Sequence, residues 1–166
     1  MGHDYELAVV PREDASVLAS IFGSRLCDED VREVRALGVE PAEAILQSLT
    51  ASEFAWALQL GGEPAALIGV VAHQTWGQFW LLTTPAVRAH PKGLLRMGHD
   101  LIPALGRRYG VLENIVDSRH EQDLSLARHF GFAVEETGWR APDSTLFVRI
   151  RYQHREPAED DTSEEA

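Results

Sequence analysis

Residues able to exchange protons crowd around one extended stretch of the chain. Glu113 and Asp117 flank Asn114-Ile115-Val116, and His120 follows three residues later. Carboxylates and imidazoles are the usual general acids and bases, so this trio is the candidate catalytic set. The same spacing suits polar groups at a strand edge and in the turn beyond it, and the residues alone do not choose between the two. Ser118, His120 and Asp123 have the composition of a nucleophilic triad. No G-x-S-x-G elbow accompanies them, and residues this close in sequence do not point at one another. Cys27 stands beside Asp28, Glu29 and Asp30, whose charge disfavours a thiolate. The histidines, His3, His73, His90, His99, His120, His129 and His154, show no H-x-x-x-H or H-E-x-x-H spacing. No metal site is therefore expected. A lone cysteine also excludes an internal disulfide and any zinc site built from several thiolates.

The elements that must position these groups follow from periodicity. Tyr5 to Val10 alternates and stops at Pro11, which reads as a first strand. Asp14 is placed to cap a helix carrying Val17, Leu18, Ile21 and Phe22, with Gly23 as its stop. Asp28-Glu29-Asp30 then supplies the acids that a helix dipole favours in a first turn. Gly38 suits the end of that helix, and Pro41 the start of the next, which carries Ile45, Leu46 and Leu49. The pattern turns extended at Glu53–Leu60. Gly61-Gly62-Glu63-Pro64 makes a turn, residues 65–72 return, and a third extended run covers 78–84. Residues 91–108 form a long helix that Pro103 is expected to kink or split. A strand at 112–117, a short helix at 121–129 and two closing strands at 132–136 and 145–151 complete the chain. This order predicts an α/β fold with a mixed seven-stranded central sheet flanked by helices.

Length and charge narrow the classes. The 166 residues suit one domain, and 45% apolar with 25% charged residues is the usual soluble mix. A net charge of −11 argues against nucleic acid or an anionic lipid surface as partner. No apolar run approaches the ~20 residues that span a bilayer. The start, Met1-Gly2-His3-Asp4, lacks the charged and apolar regions of a secretory leader. Six acids and no base lie between Glu156 and Ala166. Residues 153–166 are accordingly expected to be an acidic, flexible tail able to dock on a basic surface, with the folded domain at 1–152.

The element order, with the Phe130-Gly131-Phe132 step after the last helix, resembles the GNAT (Gcn5-related N-acetyltransferase) superfamily over roughly residues 5–151. That resemblance implies acetyl-CoA or CoA as ligand and N-acyl transfer as activity. Members of the superfamily hold the pyrophosphate on backbone N–H groups at the start of the long helix, where bare amides and the helix dipole favour an anion. The matching stretch is Arg88-Ala89-His90-Pro91-Lys92-Gly93, and the implied cofactor contacts are Arg88, Lys92, Gly93 and Leu94. Arg88 and Gly93 keep the pattern. Pro91 replaces its first glycine and has no N–H to give; Lys92 offers a point charge instead. The position at which many members carry a tyrosine acid is Ala127, and one that often carries asparagine is His120.

A narrower resemblance covers roughly residues 34–136. Leu37-Gly38-Val39-Glu40-Pro41 with Ser48, then Phe79-Trp80 ahead of Thr83-Thr84 and Val87, then Tyr109, Leu112, Asn114 and Val116, are similar to the GNAT-like internal virion protein A of short-tailed bacteriophages. It implies a virion component or assembly factor in contact with other virion proteins, located in the particle or the host cytoplasm. It also implies a degenerate catalytic centre with no bound cofactor, consistent with Pro91 and Ala127. Under this reading the fold is a packing module with its function on the surface.

Overall fold

The computed structural model describes residues 5–157. Its frame is one seven-stranded sheet in the order β1-β2-β3-β4-β5-β7-β6. The strands are β1 (Tyr5–Val9), β2 (Phe54–Leu60), β3 (Glu63–Ala72), β4 (Gly77–Thr83), β5 (Val111–Asp117), β6 (Ala133–Arg140) and β7 (Leu146–Gln153). Six helices flank them: α1 (Ala15–Gly23), α2 (Asp28–Ala36), α3 (Pro41–Ala51), a single turn α4 (Ala86–Ala89), α5 (Pro91–Tyr109) and α6 (Glu121–His129). A short 3-10 turn, Arg12–Asp14, precedes α1.

Two apolar layers hold the helices to the sheet. On one face Leu94, Met97, Ile102 and Leu105 of α5 and Leu124 of α6 pack on Leu58, Ile68, Val70, Leu112 and Ile150. On the other, Ala19 and Phe22 of α1 and Ile45 and Leu49 of α3 pack on Leu67, Trp80 and Leu82. Neighbouring strand residues thus serve opposite layers, as the two-residue repeat of a strand requires.

Several local expectations are revised. Glu63 and Pro64 belong to β3 rather than to the turn, which is Gly61-Gly62 with φ of +60° and +80°, the conformation of a tight hairpin. Pro64 fits because the β2–β3 register shifts between Leu58 and Gln59, and a bulge needs no ladder amide there. Pro103 does not split α5, which continues through it to Tyr109; its buried stripe pins both halves to the sheet. β6 extends to Arg140 past Gly138, accommodated by a register shift against β7 between Val134 and Gly138. β7 ends at Gln153, and the His154 amide donates to the Gly110 carbonyl at 2.8 Å. The last strand thus runs two residues past the expected 151. Most of the acidic tail, residues 158–166, lies outside the described residues.

One feature of the sheet positions the site. Six neighbouring pairs make up the sheet, and only β4 and β5 run parallel. They are paired only at Gly77–Leu112 and Gln78–Glu113. Beyond those residues they diverge, leaving a gap that opens toward Thr83 and Asp117.

Candidate functional site

The facing edges of a splayed pair of strands carry backbone amides that a normal ladder would satisfy, and buried amides need partners. Three are accounted for by side chains. The Thr83 amide donates to Asp30 Oδ2 at 2.9 Å, and the Thr83 hydroxyl donates to the same oxygen at 2.9 Å. The Asp117 amide donates to Glu33 Oε2 at 3.1 Å. The Ile115 amide donates to Asn114 Oδ1 at 2.8 Å. In addition, the Cys27 amide donates to the Thr83 carbonyl at 2.9 Å. Asp30 and Glu33, one helical turn apart on α2, therefore grip one edge of the gap each. The helix lies across the opening.

Two cavities flank this helix and share no lining residue. At the mouth of the gap, between the starts of α5 and α6, a cleft of about 370 Å³ is lined by Cys27, Glu29, Thr83, Arg88, Leu94 and His120, among others. Toward α3 lies a groove of about 230 Å³ with Glu33, Ser48, Trp80 and Asn114 on its walls.

The charges beside the gap are unusual. Burial pushes the Asp30 carboxyl above its ordinary range, and Asp123 adds to this. Burial likewise drives Glu33 up to about 8. Burial alone would lower His120, but Asp123, Asp30 and Glu33 outweigh it and hold the imidazole up at about 9. Its Nδ1 lies 2.6 Å from Asp123 Oδ2. Asp117 behaves in the opposite way. Burial would raise it, but Arg119 grips both carboxylate oxygens at 3.1 and 2.8 Å and keeps it below the ordinary value. Arg32 stands 3.8 Å away on the same carboxylate.

The trio suggested by the sequence is thus dispersed. His120 lines the cleft. Asp117 is buried at the end of β5 and committed to Arg119. Glu113 sits four residues back, beside the paired root of the gap, with Arg151 at 3.6 Å and Arg149 at 4.0 Å. The suggested cofactor residues are also divided. Arg88 and Leu94 line the cleft, and Arg88 donates to Glu29 Oε1 at 3.0 Å. Lys92 is exposed at the start of α5. The Gly93 amide bonds the His90 carbonyl at 3.2 Å, and a Cβ on Gly93 would overlap Leu60 Cδ2. Close packing on Leu60 is thus one reason for a glycine there.

Sequence reasoning did not find Asp30 and Glu33. Their three-residue spacing on a helix was the only local signal, and acids in a first turn already had an explanation in the dipole.

The splayed β4–β5 pair, set in this strand order with the long helix after β4, decides the architecture. The fold is that of the GNAT acetyltransferases. Among solved structures, the ribosomal-protein-S18-alanine N-acetyltransferase from Escherichia coli aligns at a TM-score of 0.66 and 13% identity, covering 95% of this chain and 98% of its own. The GNAT domain of S. lividans PAT aligns at 0.65 and 18% identity, covering 90% of each chain. The aminoglycoside acetyltransferase AAC(6')-Ib, solved in complex with coenzyme A and kanamycin, aligns at 0.61 and 14%, covering 90% and 95%. At these identities the likeness concerns the GNAT fold alone. No protein-family model and no curated protein matches the chain. Among the described residues no helix is long and apolar enough to cross a membrane.

Proposed function

We propose that this protein is a GNAT-fold module that has given up acyl-CoA turnover and works through contacts of its surface with other proteins. The observation that carries the reading is the seating of α2 in the β4–β5 gap. Asp30 and Glu33 take the Thr83 and Asp117 amides, and the Cys27 amide takes the Thr83 carbonyl. A ligand entering the gap would have to displace these three bonds before making its own. Pro91 at the start of α5 adds to this, since it removes an amide from the place where a helix N-terminus would hold a phosphate. A ligand that binds only the folded state must raise its stability. The test is a thermal-shift titration with acetyl-CoA. No shift at millimolar ligand is expected, and a saturable rise in Tm would overturn the reading.

The finer form of this reading is an internal or assembly-stage component of a short-tailed phage particle, in contact with other virion proteins. It is supported by the motif resemblance from Leu37 to Val116. Mass spectrometry of purified particles and assembly intermediates tests it, and absence of the chain from both would remove it.

A second reading, an acetyl-CoA-dependent N-acyltransferase, is favoured by the cleft that brings Arg88, Leu94 and His120 together at the start of α5. It requires α2 to withdraw from the gap. Release of free thiol from acetyl-CoA in the presence of a panel of primary amines would establish it.

A further inference from the structure

We infer that Asp30, His120 and Asp123 form a binding site for a divalent transition cation, with zinc as the fitting test ion. One ligand-type atom from each, two carboxylate oxygens and a ring nitrogen, lies within 4.8 Å of the others. They arrive from three places: the first turn of α2, the residue preceding α6, and the first turn of α6. One imidazole and two carboxylates are a donor set that zinc accepts, with a fourth position left for water or a further ligand. The expectation of no metal site, drawn from His–His spacing, could not register a set that pairs a His-x-x-Asp step with a carboxylate ninety residues away.

Three further observations separate this cluster from an ordinary acidic surface. First, it is interior: Asp30 is 1% exposed and His120 4%. Second, His120 Nδ1 meets Asp123 Oδ2 at 2.6 Å as an ion pair, so two ligand-type atoms are already held together, and a cation would enter by displacing the ring proton between them. Third, the nearby guanidinium groups are engaged elsewhere, Arg32 and Arg119 on Asp117 and Arg88 on Glu29, so Asp30 and Asp123 are left facing the imidazole, the arrangement a cation would enter.

The surroundings fit a bound ion. His120 and Asp123 open onto the cleft at the mouth of the gap, where Cys27 and Glu29 also stand, so an ion has a route in. Asp30 is oriented by the Thr83 amide and hydroxyl, the kind of outer-shell support that fixes a ligating carboxylate. A bound ion would link α2, β4 and α6 across the gap.

The test is a titration of the chelator-stripped full chain with zinc chloride by calorimetry, with Co(II) absorption as the spectroscopic readout. Saturable binding of one ion to wild type is expected, with a rise in Tm. Asp123→Asn and His120→Gln should each weaken it at least tenfold. His99→Gln should leave it unchanged; this control dismantles the exposed His99–His129 pair, whose Nε2 atoms are 3.2 Å apart. Asp123 is partly exposed on a helix turn, so its amide variant keeps the test decisive if His120→Gln fails to fold. Absence of saturable binding, equal binding in Asp123→Asn, or loss in His99→Gln would each overturn the site. The acetyl-CoA titration is a separate readout, so either conclusion can fail alone.

Discussion

Asp30 and Glu33 do the same job with different consequences on removal. Asp30→Ala would strand the Thr83 amide and hydroxyl together. Buried groups left without a partner cost about 1–3 kcal/mol, so a loss of that order is expected in chemical denaturation. Asp30→Asn keeps an acceptor and should recover most of it; equal loss in both variants would mean that charge, not the hydrogen bonds, is what matters. Glu33→Gln keeps the bond to the Asp117 amide and removes a carboxyl that burial makes costly to ionise. The pH dependence follows from the directions of the shifts. Glu33 moves from 4.5 to about 8, so the folded state holds more protons than the unfolded one between those values. Stability then falls as pH rises through that window. His120, raised from 6.5 to about 9, contributes stability that is complete below its ordinary value and lost as pH climbs through 9. Asp30, also raised, acts like Glu33. Asp117, held low by Arg119 despite its burial, contributes in the other direction, and its share is lost only in stronger acid. The groups facing one another here are Asp30, Arg32 and Glu33 from α2, Asp117, Arg119 and His120 from β5 and its turn, and Asp123 from α6. In chelator, Tm should peak near about pH 5 and fall by about 5–10 °C toward about pH 8.5. Glu33→Gln should flatten the fall. A flat or rising profile for wild type would count against the buried cluster.

At the scale of elements, the proposed loss of acetyl-CoA binding has two causes that can be separated. If the start of α5 were the only obstacle, Pro91→Gly would restore an amide and with it the ligand. With α2 across the gap, Pro91→Gly alone should still show no thermal shift at millimolar acetyl-CoA. A saturable shift in that variant would place the block in the loop and not in the helix. Close packing between strands offers a further check. Gly69 of β3 faces Trp80 of β4, whose indole N–H donates to Ser52 Oγ at 2.8 Å, and a Cβ on Gly69 would overlap the indole ring. Because that hydrogen bond holds the ring in place, Gly69→Ala should cost about 1–3 kcal/mol; a neutral variant, by denaturant midpoint, would show that Trp80 can move aside. These contacts also mark how far the sequence could be read. Most helices and strands were legible because each carries its own period, cap or stop, as with Pro41 at the start of α3 and Gly38, at a φ of +83°, after α2. Register shifts were not legible, so the sequence put Pro64 in a turn and ended β6 four residues early. The site was least legible. Asp30 meets Thr83 across 53 residues and Glu33 meets Asp117 across 84, and no local pattern encodes such a meeting. Gly93 shows the opposite hazard: it satisfies the spacing of a phosphate loop while packing on Leu60.

For the whole molecule, the question is whether its charge works for or against the fold. The net charge is −11. The acids it counts include buried Asp30 and partly buried Glu33 and Asp123. Against this stand surface ion pairs such as Arg35–Glu40, Arg88–Glu29, Arg108–Glu53 and Arg149–Glu135, each with at least one exposed partner. Such pairs contribute about 0–1 kcal/mol each and are weakened by salt. Repulsion among the surplus acids acts over longer distances and is also weakened by salt, but with the opposite effect on stability. Between about 10 mM and about 0.1 M salt the screening length falls from about 30 Å to about 10 Å. That change removes the long-range repulsion while leaving pairs at 2.6–3.3 Å largely intact. Tm should therefore rise by about 2–4 °C over that range, measured at neutral pH in a monovalent salt and in chelator. A fall in Tm would mean that the arginine pairs, and not the surplus acids, set the electrostatic balance. It would also weaken the expectation, drawn from net charge, that nucleic acid is not a partner.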